Sequence, residues 1–295
     1  MQNGLVRTDG AYGYAQMRED LETLAKRYPF LEIGSAGKSV LGKEILFARV
    51  GTGKRRVLYH AAHHANEWIT VWILMKYLEE LCAGGEPEQV SLVTVPMVNP
   101  DGVDLVTGAV TSGDFYREAR ALCEGRVPFP HGWKANRNGV DLNLNYPAGW
   151  EQARKNKAAR GVTAPAPRDY VGPHPFSEPE TQALAALTYR TNPDCVLAYH
   201  TQGREIYWNY AGYEPPESER LAEELARRSG YTAMRTPEDA AYAGYKDWFL
   251  RVFRRPGFTV EAGLGVSPLP PEEFAGIYAE NKKILQFFAE EENSI

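Results

Sequence analysis

The segment from His60 to Thr70, HAAHHANEWIT, gathers three imidazoles and the Glu67 carboxylate within about one turn of chain. Neutral imidazole and carboxylate are ligands for a divalent cation such as zinc, and a catalytic zinc takes three protein ligands and leaves one position open. His64 and Glu67 are three residues apart, so a helix-like turn brings both to one point. His60 and His63 compete for the same role until a partner is found. A third ligand has to come from a distant segment, and His200, at the end of the apolar run CVLAYH, is placed to supply it. Alone, His200 reads as a core histidine. Glu261, closing GFTVE, suits the open side as a general base for a water whose pKa the metal lowers toward ~7.

Positioning these groups requires elements that end beside one another. A helical stripe at Tyr14, Met17, Leu21 and Leu24 stops at Pro29, and two strands follow, at Leu31–Ser35 and Lys43–Val50. From there strands are expected at Arg55–Ala62, Ser91–Val98, Cys195–Tyr199, Tyr231–Thr236 and Gly257–Glu261. Helices are expected at Trp68–Cys82, Glu178–Tyr189, Glu217–Ser229, Tyr245–Phe253 and Glu272–Glu291. This alternation indicates an α/β fold: a single domain over residues 1–295, with a mixed, mainly parallel twisted sheet and helices on both faces. Ligands in such folds collect at the carboxyl ends of strands, where His64, Glu67, His200 and Glu261 all fall. The interval from Asn99 to Pro175 is poor in periodic signal and rich in Gly, Pro, Asn and Arg, so it reads as functional loop.

Composition narrows the class. A net charge of -5 argues against a nucleic-acid partner, which needs a basic face. No apolar span of membrane-crossing length occurs, and the N-terminus lacks the apolar run of a signal peptide. A soluble, cytoplasmic protein is expected. The three cysteines, Cys82, Cys123 and Cys195, are far apart and form no C-x-x-C pair, which suits reduced, buried thiols.

The motifs HHANEWIT, VNPDGV, WKANRNGVDLNLNYP, SEPET, AYHTQG and FTVEAG occur in this order over nearly the whole chain. The set resembles the zinc carboxypeptidase family. That resemblance implies one zinc ion held by His64, Glu67 and His200, with Glu261 as general base and hydrolysis of a peptide or amide bond. His60 and His63 are left as strand-end residues. It also implies Arg137 as the cation that polarises the scissile carbonyl, and Asn143 as a substrate contact. The stretches YPAGWE, GPHPFSEPET, HTQGREIYWNYAGYEPPESE and YAGYKDW are similar to bacterial γ-D-glutamyl-L-diamino acid endopeptidases. A muropeptide is therefore the implied substrate, with carboxypeptidase or amidohydrolase action on another acidic peptide as the alternative.

One departure supports that assignment. Where carboxypeptidases carry an arginine that grips a terminal carboxylate, this chain has Leu144, and leucine cannot form a bidentate ion pair. Lys246, beside Asp247 and Trp248, is expected to favour an acidic group on the leaving side. Tyr242 is expected to cap the substrate, with Tyr245 as competitor. Gln202 and Arg204 are further candidate contacts, and Tyr207, Trp208 and Tyr210 form a candidate aromatic wall.

Overall fold

A computed structural model describes residues 4–238 and 241–290 of the chain. Eight strands form one sheet in the order β1-β2-β4-β3-β5-β8-β6-β7. The strands are β1 (Glu32–Lys38), β2 (Glu44–Val50), β3 (Arg55–Ala61), β4 (Val90–Val95), β5 (Cys195–His200), β6 (Glu205–Tyr207), β7 (Thr232–Met234) and β8 (Gly257–Glu261). β4, β3, β5 and β8 run parallel, while antiparallel pairings attach β2 on one side and β6 on the other. The expected mixed, mainly parallel sheet is thus observed. β6 is an addition, too short to show a period-two pattern.

The central strands alternate between two cores. Val57, Tyr59, Ala61, Cys195, Leu197 and Tyr199 join the larger cluster on one face. Leu58, Val196 and Ala198 join the smaller cluster on the other. Strands buried on both faces read as near-continuous apolar runs, and these do. Helices α1 (Tyr14–Arg27), α2 (Ile69–Ala83) and α9 (Phe274–Glu290) border the first core, while α6 (Pro179–Thr191) and α8 (Tyr245–Phe253) border the second. All three cysteines are buried and unbridged, and no helix among the described residues is long and apolar enough to cross a membrane.

The interval expected to be irregular contains three helices: α3 (Pro100–Val106), α4 (Gly113–Cys123) and α5 (Trp150–Ala159). α4 buries Phe115, Ala119 and Cys123 at a four-residue spacing, only one of them large. α3 starts at Asn99, whose side chain accepts from the Gly102 amide, with proline in the first turn. A Cβ on Gly102 would lie 2.7 Å from the Ala135 carbonyl oxygen and 2.8 Å from Ala65 Cβ. Glycine there allows α3 to press against the segment that carries the site.

The strand ends are tied together. Val98 and Asn99 donate to the carbonyls of Ala61 and Ala62, extending the β3–β4 ladder past the last regular residue. Ala62 turns the chain with φ of 53°, a left-handed conformation that non-glycine residues adopt at a cost and often near functional sites. This turn delivers His63 and His64.

Candidate active site

His64 precedes a short 3-10 turn, Ala65–Glu67, which flows into α2. That turn brings Glu67 back beneath His64, with His64 Nδ1 and Glu67 Oε1 2.9 Å apart. The Glu67 turn is closed by Thr70, whose hydroxyl donates to the Glu67 carbonyl and accepts from the Ala62 amide. From the end of β5, His200 places its Nδ1 2.9 Å from Glu67 Oε2 and 3.3 Å from His64 Nδ1. One ligand atom from each of these three buried residues lies within 4.8 Å of the others.

Two imidazole nitrogens facing each other and a carboxylate at that separation make a poor protein–protein contact but a good N,N,O donor set for zinc. The residues fit the metal. Asp141 completes the frame: its Oδ1 lies 2.9 Å from His64 Nε2 and also accepts from the Asn143 amide. A carboxylate on the far nitrogen fixes the imidazole tautomer and leaves Nδ1 toward the ligand point. Burial alone would depress the His64 pKa, but the charges of Glu67 and Asp141 outweigh it and lift it to about 9. In His200 burial prevails and the shift is downward.

Glu261 is the register partner of His200 on the adjacent parallel strand, so both side chains stand on one face about 4.8 Å apart. Burial, then the charge of Glu67, pushes its carboxyl up to about 8. His64 and Glu261 line a cavity of about 240 Å³. The strand ends have brought together His64, Glu67, His200 and Glu261.

The recognition residues are distributed differently. Asn143 and Leu144 line the cavity, and Asn143 Oδ1 accepts from the Tyr245 amide. Arg137 does not line it. Its guanidinium pairs with Glu118 of α4 at 2.7 Å and covers the Phe115 ring. Lys134, three residues earlier, instead reaches the centre, with Nζ 3.0 Å from Glu67 Oε1. Asn136 decides between them. Its side-chain oxygen accepts from the amides of Asn138 and Val140, folding the loop so that Arg137 faces outward. Burial would lower the Lys134 pKa, yet Glu67 and Asp141 raise it, with Arg168 opposing them.

Lys246 lines the cavity, but its ammonium already contacts Asn209 O, Thr236 Oγ1 and Asp247 Oδ1. Two of its protons are engaged by Asn209 and Thr236, and its charge is balanced by the adjacent Asp247 carboxylate, so it forms part of the wall. Tyr245 cannot cap a substrate: it is fully buried, and its hydroxyl bonds Thr188 at 2.8 Å. Tyr242 sits apart from the lining, with its ring edge-on to Tyr210 and its amide donating to Asp247. Gln202 is exposed and outside the cavity, and Arg204 is drawn away by an ion pair with Glu280. Of the aromatic wall, Tyr207 reaches the cavity, while Trp208 and Tyr210 are core.

Sequence reasoning overlooked Lys134, Asp141 and Arg168. The first two lie inside the motif WKANRNGVDLN, where an acid beside a histidine ligand is an expected feature of metal sites. Arg168 lies in a proline-rich stretch without a motif.

Comparison with known proteins identifies a family and a fold. The model of the zinc carboxypeptidase family matches residues 17–280. γ-D-glutamyl-L-diamino acid endopeptidase 1 of Lysinibacillus sphaericus is 43% identical over 289 residues, covering 94% of this chain and 72% of that protein. Murein peptide amidase A of Escherichia coli K12 is 31% identical over 196 residues, covering 65% of each. The crystal structure of carboxypeptidase A from Helicoverpa armigera matches with a TM-score of 0.72 at 18% identity, over 97% of this chain and 75% of that one. At that identity the likeness concerns the fold alone.

Proposed function

The chain belongs to the zinc carboxypeptidase family, and from that premise we propose that it hydrolyses the γ-D-glutamyl–meso-diaminopimelate bond of cell-wall muropeptides. The observation that carries this reading is the make-up of one cavity. Glu261 and the His64 ligand face into it, Leu144 stands where a terminal-carboxylate clamp would be needed, and Lys134 and Arg168 supply positive charge elsewhere on the wall. A site of that kind favours an acidic peptide and has no arginine beside Asn143 to demand a free C-terminus.

His64, Glu67 and His200 would hold the metal. Zinc bound there supplies a Lewis acid that polarises a carbonyl and lowers the pKa of water toward ~7. Glu261 takes the proton from the attacking water and returns it to the leaving nitrogen, so one carboxylate serves as base and then acid. Lys134, rather than Arg137, faces the scissile carbonyl and steadies its developing negative charge. Asn143 orients the peptide. Lys246 and Asp247 form the buried end of the cavity, against which the diamino acid is seated. The unbridged cysteines support a reducing compartment, consistent with cytoplasmic recycling of wall fragments.

Mass spectrometry of purified muropeptides after incubation tests the reading. The expected products are an acyl-D-glutamate fragment and a diaminopimelate-containing fragment, lost with chelator and regained with zinc. Release of C-terminal residues alone would overturn it in favour of a carboxypeptidase.

A further inference from the structure

The cavity has two unlike ends. One is closed by buried side chains, Lys246 and Asp247, at 4% and 3% exposure. At the other, Arg168 also borders a second, larger cavity of about 580 Å³, shared with Asn66, Trp68 and Ser267. A substrate that ends in the closed part therefore continues past Arg168.

Arg168 is held in place by backbone contacts. The amides of Lys134 and Ala135 both donate to the Pro167 carbonyl, at 2.8 and 3.0 Å, so Lys134 and Arg168 leave adjacent segments side by side. Arg168 Nε bonds Asp169 Oδ2 at 2.9 Å, and Asp169 Oδ1 also takes the ammonium of Lys157. One carboxylate thus serves two cations, and it engages only the Nε of Arg168. Nη1 and Nη2 of Arg168 have no acceptor among the described residues, and the side chain is 49% exposed. Two parallel N–H groups on a rigid fork are the arrangement that receives a carboxylate in bidentate fashion.

A γ-linked glutamyl residue differs from an α-linked one in where its free carboxylate lies. The γ-linkage leaves an α-carboxylate on the acyl side, a short distance back along the chain from the scissile carbonyl. We propose that Arg168 is a specificity-determining residue that binds this α-carboxylate, and so selects γ-glutamyl bonds over α-glutamyl ones. The proposal rests on the γ-glutamyl reading of the preceding subsection and names how that selectivity is built. Lys134 remains with the carbonyl, and Arg168 takes the acid.

The experiment compares two peptides, L-Ala-γ-D-Glu-meso-diaminopimelate and the same peptide with its D-glutamyl α-carboxylate converted to the carboxamide. The zinc-loaded enzyme is expected to prefer the free acid by roughly 30-fold in kcat/KM, mostly through KM, the scale of one charged hydrogen-bonded contact. In Arg168→Gln that ratio collapses toward one. Arg168→Lys, which keeps the charge and loses the fork, gives an intermediate ratio. Calorimetric binding of the acid peptide to zinc-loaded Glu261→Gln should weaken by a similar factor when Arg168→Gln is added. Equal cleavage of both peptides by the unaltered enzyme would overturn the proposal, as would a preference that survives Arg168→Gln. Either result leaves γ-glutamyl hydrolysis standing. Cleavage of neither peptide takes down both readings. The comparison on the unaltered enzyme needs no variant to fold.

Discussion

The two sides of the cavity are built by different means. The proposed metal ligands and general base stand on paired strand ends, where a ladder of backbone bonds fixes His200 against Glu261 and a tight turn sets His64 over Glu67. The proposed recognition side, with Lys134, Asn143 and Arg168, rides on the irregular segments before and after α5. Polar side chains do there what a ladder does elsewhere. Asn145 donates to the carbonyls of Val171 and His174 and accepts from the Glu178 amide and the Thr181 hydroxyl. Asn136 closes its own turn and reaches Glu178 and Glu180. The first side leaves almost no room for substitution. The second can exchange residues between its anchors and change what is bound without disturbing the chemistry.

Breaking the strand-end side should cost most. Glu261→Gln is expected to lower kcat by about 10³-fold, within the range for loss of a general base, while zinc content by atomic absorption stays at one per chain. Loss of zinc together with activity would mean that Glu261 belongs to the ligand frame.

The anchors of the recognition side should show in stability. Burial raises the Glu180 carboxyl to about 7, above its unfolded value of ~4.3. The folded chain then binds more protons than the unfolded one between those values, so stability falls as pH rises from about 4.3 to 7 and levels off above. The loss amounts to about 4 kcal/mol. Urea unfolding between pH 5 and 8 should show this decline, and Glu180→Gln should remove it.

Two cations three residues apart sharpen the comparison further. Lys134→Met should reduce kcat/KM by roughly 30-fold, for loss of one charge facing the reacting carbonyl. Arg137→Gln, which breaks a pair with Glu118 and a stacking contact on Phe115, both away from the cavity, should stay within about twofold in activity, the scale of a surface ion pair. The reverse order in steady-state assays would restore Arg137 to the site.

What was legible in the sequence follows the same division. Parallel strands buried on both faces announce themselves as apolar runs, and a histidine or glutamate ending such a run falls at the ligand-binding edge. That logic reached His64, Glu67, His200 and Glu261. Spacing cannot decide which loop cation turns inward. The choice between Lys134 and Arg137 depends on a hydrogen-bonded turn at Asn136 and on Glu118 of α4, nineteen positions away by number. Lys246 lines the cavity, and its engagement with Asn209 and Thr236 depends on a strand-end loop whose course no local pattern describes. Helices α3, α4 and α5 were hidden for a simpler reason. They are short, open on proline or glycine, and bury few large side chains.

Asp141 belongs to both sides at once. While Oδ1 steadies the His64 ring, Oδ2 accepts from the Asp169 amide, next to Arg168. A peptide that draws the 168–169 backbone toward itself pulls on the same carboxylate that orients a metal ligand. Occupancy of the acyl end and grip on a cation thus share one carboxylate, and a coupling carried by it acts equally on both binding equilibria.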